Sequence, residues 1–227
     1  MLARELPKPY IETALSLFKR RGLSRIVEIG SMRLPLEHGL DELDRRCCLD
    51  GHSSLYFAAA TDEFTTVDID FWTSANAGQT IKRVLDKYAD VVCRDGIEFL
   101  KEYDGNIDLL FLDAWDAFLS GSAESHLEAF QAAEKNLHED SLVLIDDTDV
   151  DFDGVDLHYA ADGTGGKGRL VIPFMEQGGW TILFRGRETL LAKRFSEDEA
   201  RDVADELLHR REAARAAFGK KYPDYYS

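Results

Sequence analysis

Basic residues are scarce in this chain: 27 Lys and Arg face 43 Asp and Glu, a formal charge of -16 on 227 residues. So acidic a surface repels phosphate backbones and anionic headgroups, which argues against nucleic-acid and membrane partners. No apolar run approaches the roughly 20 residues of a bilayer-spanning helix. The opening MLARELPKPY has no apolar leader core, so a cytoplasmic location is expected. Cysteine is sparse too. Cys47, Cys48 and Cys93 are odd in number and lack C-x-x-C spacing, which argues against a disulfide framework and a zinc site. Two phosphate-binding signatures are also missing. No G-x-G-x-x-G follows the first strand-like run, and DGTGGKGR near residue 165 is not G-x-x-x-x-G-K-[ST].

What is present is a core-forming composition, 44% hydrophobic and 11% aromatic, enough for one compact domain over 1–227. Helical spacing of Ile11, Leu15 and Phe18 predicts a helix over 8–21, closed by Gly22. Strand-like and helix-like segments then alternate across 25–194: RIVEIG, SSLYFAAA, FTTVDID, NAGQTIKRVLDKYA, DVVC, GIEFLKEY, IDLLFLDAWD, AESHLEAFQAAEKNL and SLVLIDDTD. GRLVIPFMEQGG reads as a helix that Pro173 kinks or shortens. GWTILFRGRETLLAK reads as two strands about a turn at Arg185-Gly186-Arg187. Ser196 and Glu199 form a capping box that opens a charged helical extension within 196–227. The alternation predicts an α/β fold, a doubly wound and mostly parallel seven-stranded sheet with an antiparallel C-terminal hairpin. Long irregular stretches are expected at Met32 to Asp50 and Asp149 to Gly168.

In an open parallel sheet, ligands bind beyond the carboxyl ends of the strands. Here those ends carry Glu28 and Gly30, Asp68 and Asp70, Asp95, Asp113 and Asp116, then Asp146 and Asp147. One such Asp is commonly a helix cap, but five successive strands repeat the pattern. Gly30 lets a ligand approach the backbone. Asp68, with Ile69 beside it, suits a ribose diol, since a carboxylate accepts from both hydroxyls. Asp95, followed by Gly96, falls where an adenine amino group would lie. A ribose and adenine without a pyrophosphate cradle point to S-adenosylmethionine, whose positive charge suits an acidic pocket.

VEIGS, VDID, CRDG, LLFLDAWD and LVLIDDT, with the closing hairpin WTILF and TLLAK, resemble the class I S-adenosylmethionine-dependent methyltransferases over about Ile26 to Lys193. The resemblance implies that Glu28 organises the first turn and the methionine end of the cofactor, and that Gly30 and Ser31 lie against it. Met32 to Asp50 interrupts the family's usual run from turn to helix and reads as an insertion and part of a substrate lid. Gly51, His52 and Ser53 would then close over the cofactor.

Asp113, Asp146 and Asp147 come from the ends of adjacent central strands, and three carboxylates at one point repel. A divalent cation removes that cost, and an all-oxygen ligand set suits Mg²⁺. IDDT and LDAWD resemble the acids of metal-dependent O-methyltransferases in the macrocin O-methyltransferase and cephalosporin-hydroxylase-like groups. The expected activity is methylation of a hydroxyl on a small molecule of sugar or phenol type, in a protein that can form a homo-oligomer. Asp113, Asp116 and His158 are the candidate catalytic groups, His158 because its loop would hang over the acidic edge. Lys167 and Arg169 belong either to a gate that meets an anionic substrate or to a solvated loop. Two alternatives stand beside this reading. One is a non-catalytic binding module on the same fold. The other is a nicotinamide-dependent oxidoreductase, disfavoured by the missing glycine fingerprint and by the hairpin.

Overall fold

A computed structural model describes residues 4–36, 52–152, 157–159 and 165–225. It begins with α1 (Lys8–Arg20), whose apolar positions Ile11, Leu15 and Phe18 are all buried. The repeating units follow: β1 (Arg25–Ile29), α2 (Ser53–Ala60), β2 (Glu63–Asp68), α3 (Phe71–Leu85), β3 (Asp90–Cys93), α4 (Gly96–Glu102), β4 (Ile107–Leu112), α5 (Ser122–Ala133) and β5 (Leu137–Ile145). After a small two-stranded ribbon, β6 (Val150–Phe152) and β7 (Leu157–Tyr159), come α6 (Gly168–Gln177), β8 (Thr181–Phe184), β9 (Thr189–Ala192) and α7 (Glu197–Lys221).

Seven strands form one sheet in the order β3-β2-β1-β4-β5-β9-β8. The first five pair in parallel, whereas β9 runs antiparallel to β5 and β8 antiparallel to β9. The expected fold class is thus the observed one. Alternate residues of the central strands point to opposite faces. Ile26, Leu109, Phe111, Leu142 and Leu144 meet Tyr10, Phe18 and Phe57 on one face. Val27, Leu110, Leu112, Val143 and Ile145 meet Phe130, Val171, Met175 and Trp180 on the other. Burial on both faces explains why these strands read as continuous apolar runs.

Local signals act where the sequence puts them. Ser196 accepts from the Glu199 amide at 3.1 Å and opens α7. Asp70 accepts from the Thr73 amide at 2.7 Å and starts α3 earlier than the periodicity suggests. Helix α6 continues past Pro173 to Gln177 rather than ending early. Part of the stretch expected to be irregular, Asp149 to Gly168, forms the β6–β7 ribbon.

The order in which strands are added reverses between β1 and β4, and that switch point opens a crevice at the strands' carboxyl ends. The segment before α1 lies across it. Leu6 packs on Phe218 of α7, Arg211 of α7 pairs with Glu5 at 2.6 Å, and the Tyr225 hydroxyl donates to the Arg4 carbonyl at 3.1 Å. Among the described residues, no helix is long and apolar enough to cross a membrane.

Candidate active site

A cavity of about 350 Å³ sits at the switch point. That lies within the common range for small-molecule sites, roughly 300–1,000 Å³. Its two ends are built from different materials.

The first end belongs to β1, β2 and β3. Gly30 has φ +98°, and a Cβ there would stand 2.6 Å from the Ala114 nitrogen and the Asp113 carbonyl carbon. Only glycine lets β1 turn this close to β4. The turn carries Ser31, whose amide donates to Asp68 Oδ2 at 3.0 Å, while the Asp70 amide donates to Oδ1 at 2.8 Å. Asp68 therefore has a fixed orientation, and its carboxylate retains lone pairs for a further donor. Burial raises its pKa despite those two amides. Asp95 caps α4 by accepting from the Ile97 and Glu98 amides, each at 3.0 Å. Both acids line the cavity, with Gly30, Ser31, Ser53, Ile69 and Gly96.

Glu28 lies beneath this floor rather than in it. Fully buried, it accepts from the hydroxyls of Ser53 at 2.5 Å, Ser54 at 2.5 Å and Thr66 at 2.6 Å. The hydroxyl of Ser31 bonds Thr66 at 2.6 Å, and the Met32 amide donates to Ser54 Oγ at 3.0 Å. One buried carboxylate thus fixes β1, β2 and the start of α2 together. Glu28 organises the first turn as expected, but it does so through these hydroxyls and is not among the residues that line the cavity. His52 is buried in a left-handed conformation ahead of α2 and does not line the cavity, whereas the next residue, Ser53, does. Gly51, and most of the Met32 to Asp50 insertion, lie outside the described residues.

The second end is a dense charge cluster. One carboxylate oxygen from each of Asp113, Asp146 and Asp147 lies within 4.8 Å of the others. The sequence brings these acids together as expected. Lys167, just 1% exposed, enters from the N-terminus of α6. Its ammonium donates to the Asp113 carboxylate and stands 3.1 Å from Asp147 Oδ2 and 3.5 Å from Asp146 Oδ2. The glycines before it make this reach possible. Gly166 has φ +50°, and a Cβ there would collide with the carbonyls of Asp147 and Val150. So residues 165–168 pack against the exit of β5, and Lys167 is part of neither a gate nor a solvated loop.

Two guanidinium groups join the cluster. Arg4 donates to Asp147 at 2.6 Å and to Asp149 at 2.5 Å, and Arg187 stands 3.9 Å from Asp146. The fields diverge across a few ångströms. Desolvation first, then Asp146, raise Asp113 well above the carboxylate range. Burial also works against charge on Asp147, yet Lys167, Arg4 and Arg187 together hold it well below that range. For Lys167, three carboxylates outweigh burial and keep the ammonium charged.

Glu188, in the turn just before β9, also lines the cavity. It is fully buried, and neither carboxylate oxygen has a hydrogen-bond partner. Burial first, then Asp146, push it well above the carboxylate range. Arg4, Arg187 and Glu188 carry no motif, and no sequence signal marks them.

Two other candidates fare differently. Asp116 lies on the cavity wall, paired with Arg33 at 2.9 Å. His158 pairs with Asp151 on the β6–β7 ribbon, with an exposed side chain outside the cavity lining. The expectation that its loop would bring it over the acids is corrected, since the ribbon turns it outward. His126 is buried against Trp115, 5.3 Å between ring centres, and its Nδ1 bonds the Ser122 carbonyl at 2.7 Å.

The lining fits an adenosyl donor: a glycine floor, an oriented acid at the end of β2, and a capping acid at the end of β3. Comparison with known families gives the same answer. Residues 48–148 match the family model described as "Methyltransferase domain". The matched residues resemble a methyltransferase domain, and the described chain has the Rossmann-like fold of such enzymes. Solved structures of similar fold include magnesium protoporphyrin IX methyltransferase (ChlM) from Synechocystis PCC 6803 with bound SAM, at 12% identity over 82% of this chain and 78% of that one, TM-score 0.51. The N-methyltransferase NodS from Bradyrhizobium japonicum WM9 aligns at 16% identity over 82% and 93%, TM-score 0.51. An rRNA methylase from Streptococcus thermophilus aligns at 10% over 86% and 100%, TM-score 0.52. At these identities the likeness is one of fold, and the acceptors in those names span porphyrin and RNA. No curated protein sequence matches the chain significantly. The end built from β1, β2 and β3 is the candidate donor end, and the charged end is the candidate acceptor end.

Proposed function

We propose that this methyltransferase acts on a hydroxyl of a small molecule, of sugar or phenol type. The observation that carries the reading is one cavity whose far wall holds a buried, unpartnered carboxyl group, Glu188. S-adenosylmethionine supplies an electrophilic methyl group on a sulfonium. The protein's task is to orient the acceptor oxygen in line with that methyl and to take up its proton. The hydroxyl proton passes to the ionised Glu188 carboxylate, the methyl group moves from sulfur to the oxygen, and S-adenosylhomocysteine leaves as the neutral thioether.

Glu188 is preferred to the other acids on their partners. Asp113 already accepts from Lys167, and Asp116 is held by Arg33. Burial and the neighbouring acids raise the proton affinity of Glu188, so its ionised form is a strong proton acceptor. The acids of this wall are already balanced by Lys167, Arg4 and Arg187, which supports a neutral acceptor.

Mg²⁺ does not fit the cluster as it stands. The ammonium of Lys167 lies among the three oxygens that would ligate it, and no step is assigned to an ion. Thermal melting with S-adenosylmethionine, S-adenosylhomocysteine and NAD in parallel, followed by mass spectrometry on a panel of sugars and phenols, tests the proposal. Both adenosyl ligands raise Tm, since a ligand at 100 times its Kd adds about 2.7 kcal/mol, and a methylated hydroxyl product appears. A shift with NAD alone overturns the donor, and methylation confined to amines overturns the acceptor class.

A further inference from the structure

The acidic cluster is crowded with positive charge before any ion arrives. Lys167 touches Asp113 and lies 3.1 Å from Asp147 and 3.5 Å from Asp146, while its own side chain is 1% exposed. It also donates to the Asp113 carbonyl at 3.2 Å, so its donors are spent on the cluster. Arg4 covers the other oxygen of Asp147, and Arg187 stands beside Asp146. The loop is shaped for this insertion, with Gly166 pressed on the backbone of β5 and the Gly165 amide donating to the Thr148 carbonyl at 3.0 Å.

We infer that Lys167 is the resident cation of this site: its ammonium takes the position a divalent ion would occupy, and the three aspartates bind such an ion only when that ammonium is removed. Ligands for Mg²⁺ must surround it closely, with near-octahedral geometry. An ammonium at the centre of the triad denies that geometry and repels the ion. Expelling it would leave a buried lysine without its counter-charges, a state buried ion pairs resist strongly. With the side chain cut back to Cβ, three carboxylates would face one small space, the condition that draws in a hard cation. The inference concerns ion binding alone and stands or falls apart from methyl transfer.

Mn²⁺ titration followed by electron paramagnetic resonance reads the outcome directly, on the full chain. The wild type leaves the free Mn²⁺ signal unchanged, and EDTA does not alter its melting. Lys167→Ala binds one Mn²⁺ at least about tenfold more tightly than the wild type, as expected once a unit positive charge a few ångströms away is gone. The double variant Lys167→Ala/Asp147→Asn loses that binding, which locates the ion. Stoichiometric Mn²⁺ binding by the wild type, abolished by Asp146→Asn, overturns the inference. So does a folded Lys167→Ala that binds nothing. If Lys167→Ala does not fold, the wild-type titration and Lys167→Ser decide the matter by the same criteria.

Discussion

The two ends of the cavity teach opposite lessons about how a fold makes a site. The donor end is built by neighbours: Gly30, Ser31, Asp68 and Asp95 stand at the tips of three adjacent strands, and backbone amides orient the acids. The acceptor end is built by strangers. Arg4 precedes the first helix, Lys167 follows a glycine run, and Glu188 returns from a hairpin, yet all converge on Asp113, Asp146 and Asp147. The donor end needs little more than the sheet itself. The acceptor end needs the whole chain to be folded, so it is where a common scaffold can be specialised.

Substitutions can break or sharpen that contrast. The largest effect is expected at the acceptor end. Glu188→Gln keeps the shape but cannot take a proton, so kcat falls about 100-fold or more while the dissociation constant for S-adenosylhomocysteine stays put. Steady-state kinetics beside calorimetric titration check this, and an unchanged kcat would remove Glu188 from the chemistry. A smaller effect is expected from Asp68→Ala, which deletes the oriented acceptor at the end of β2. Affinity for S-adenosylhomocysteine drops roughly tenfold to a hundredfold, the range for a hydrogen bond to a charged group. If acceptor KM moved instead, the two ends would be wrongly divided.

The last expected effect is on stability rather than activity and lies beneath the acceptor end. Burial, then Lys167, hold His126 down to about 3, whereas an unfolded histidine titrates near 6.5. Between those values the unfolded chain binds a proton that the folded chain refuses. Stability from this residue is therefore complete above about pH 6.5 and declines as pH falls toward 3. Urea unfolding of wild type and His126→Gln across that window should show the variant losing less stability on acidification. Parallel curves would mean that His126 does not titrate as its burial implies.

The same division governs what could be read in advance. Apolar strands ending in acid are a local pattern, so the sheet, its hairpin and the row Asp68, Asp95, Asp113, Asp146 and Asp147 were legible. So was an unusual role for Glu28, although its three hydroxyl partners were not, since serine and threonine carry no mark of what they will bond. Lys167 was noticed but misjudged. Its glycine neighbours suggested looseness, whereas the fold uses them for close contact. His158 failed for the converse reason, because an acidic loop near the strand ends gave no hint that a ribbon would face its imidazole to solvent. Arg4 and Glu188 were silent. Their meaning comes only from contacts spanning well over a hundred residues in one case and a hairpin register in the other.

The clasp between the chain's first described residues and its last helix carries one more implication. Tyr225 and Arg211 steady the stretch from which Arg4 leans onto Asp147, although neither touches the crevice floor. Clipping the end of α7 by limited proteolysis would thus be felt as an electrostatic change in the reaction chamber, transmitted by a strut rather than through the sheet.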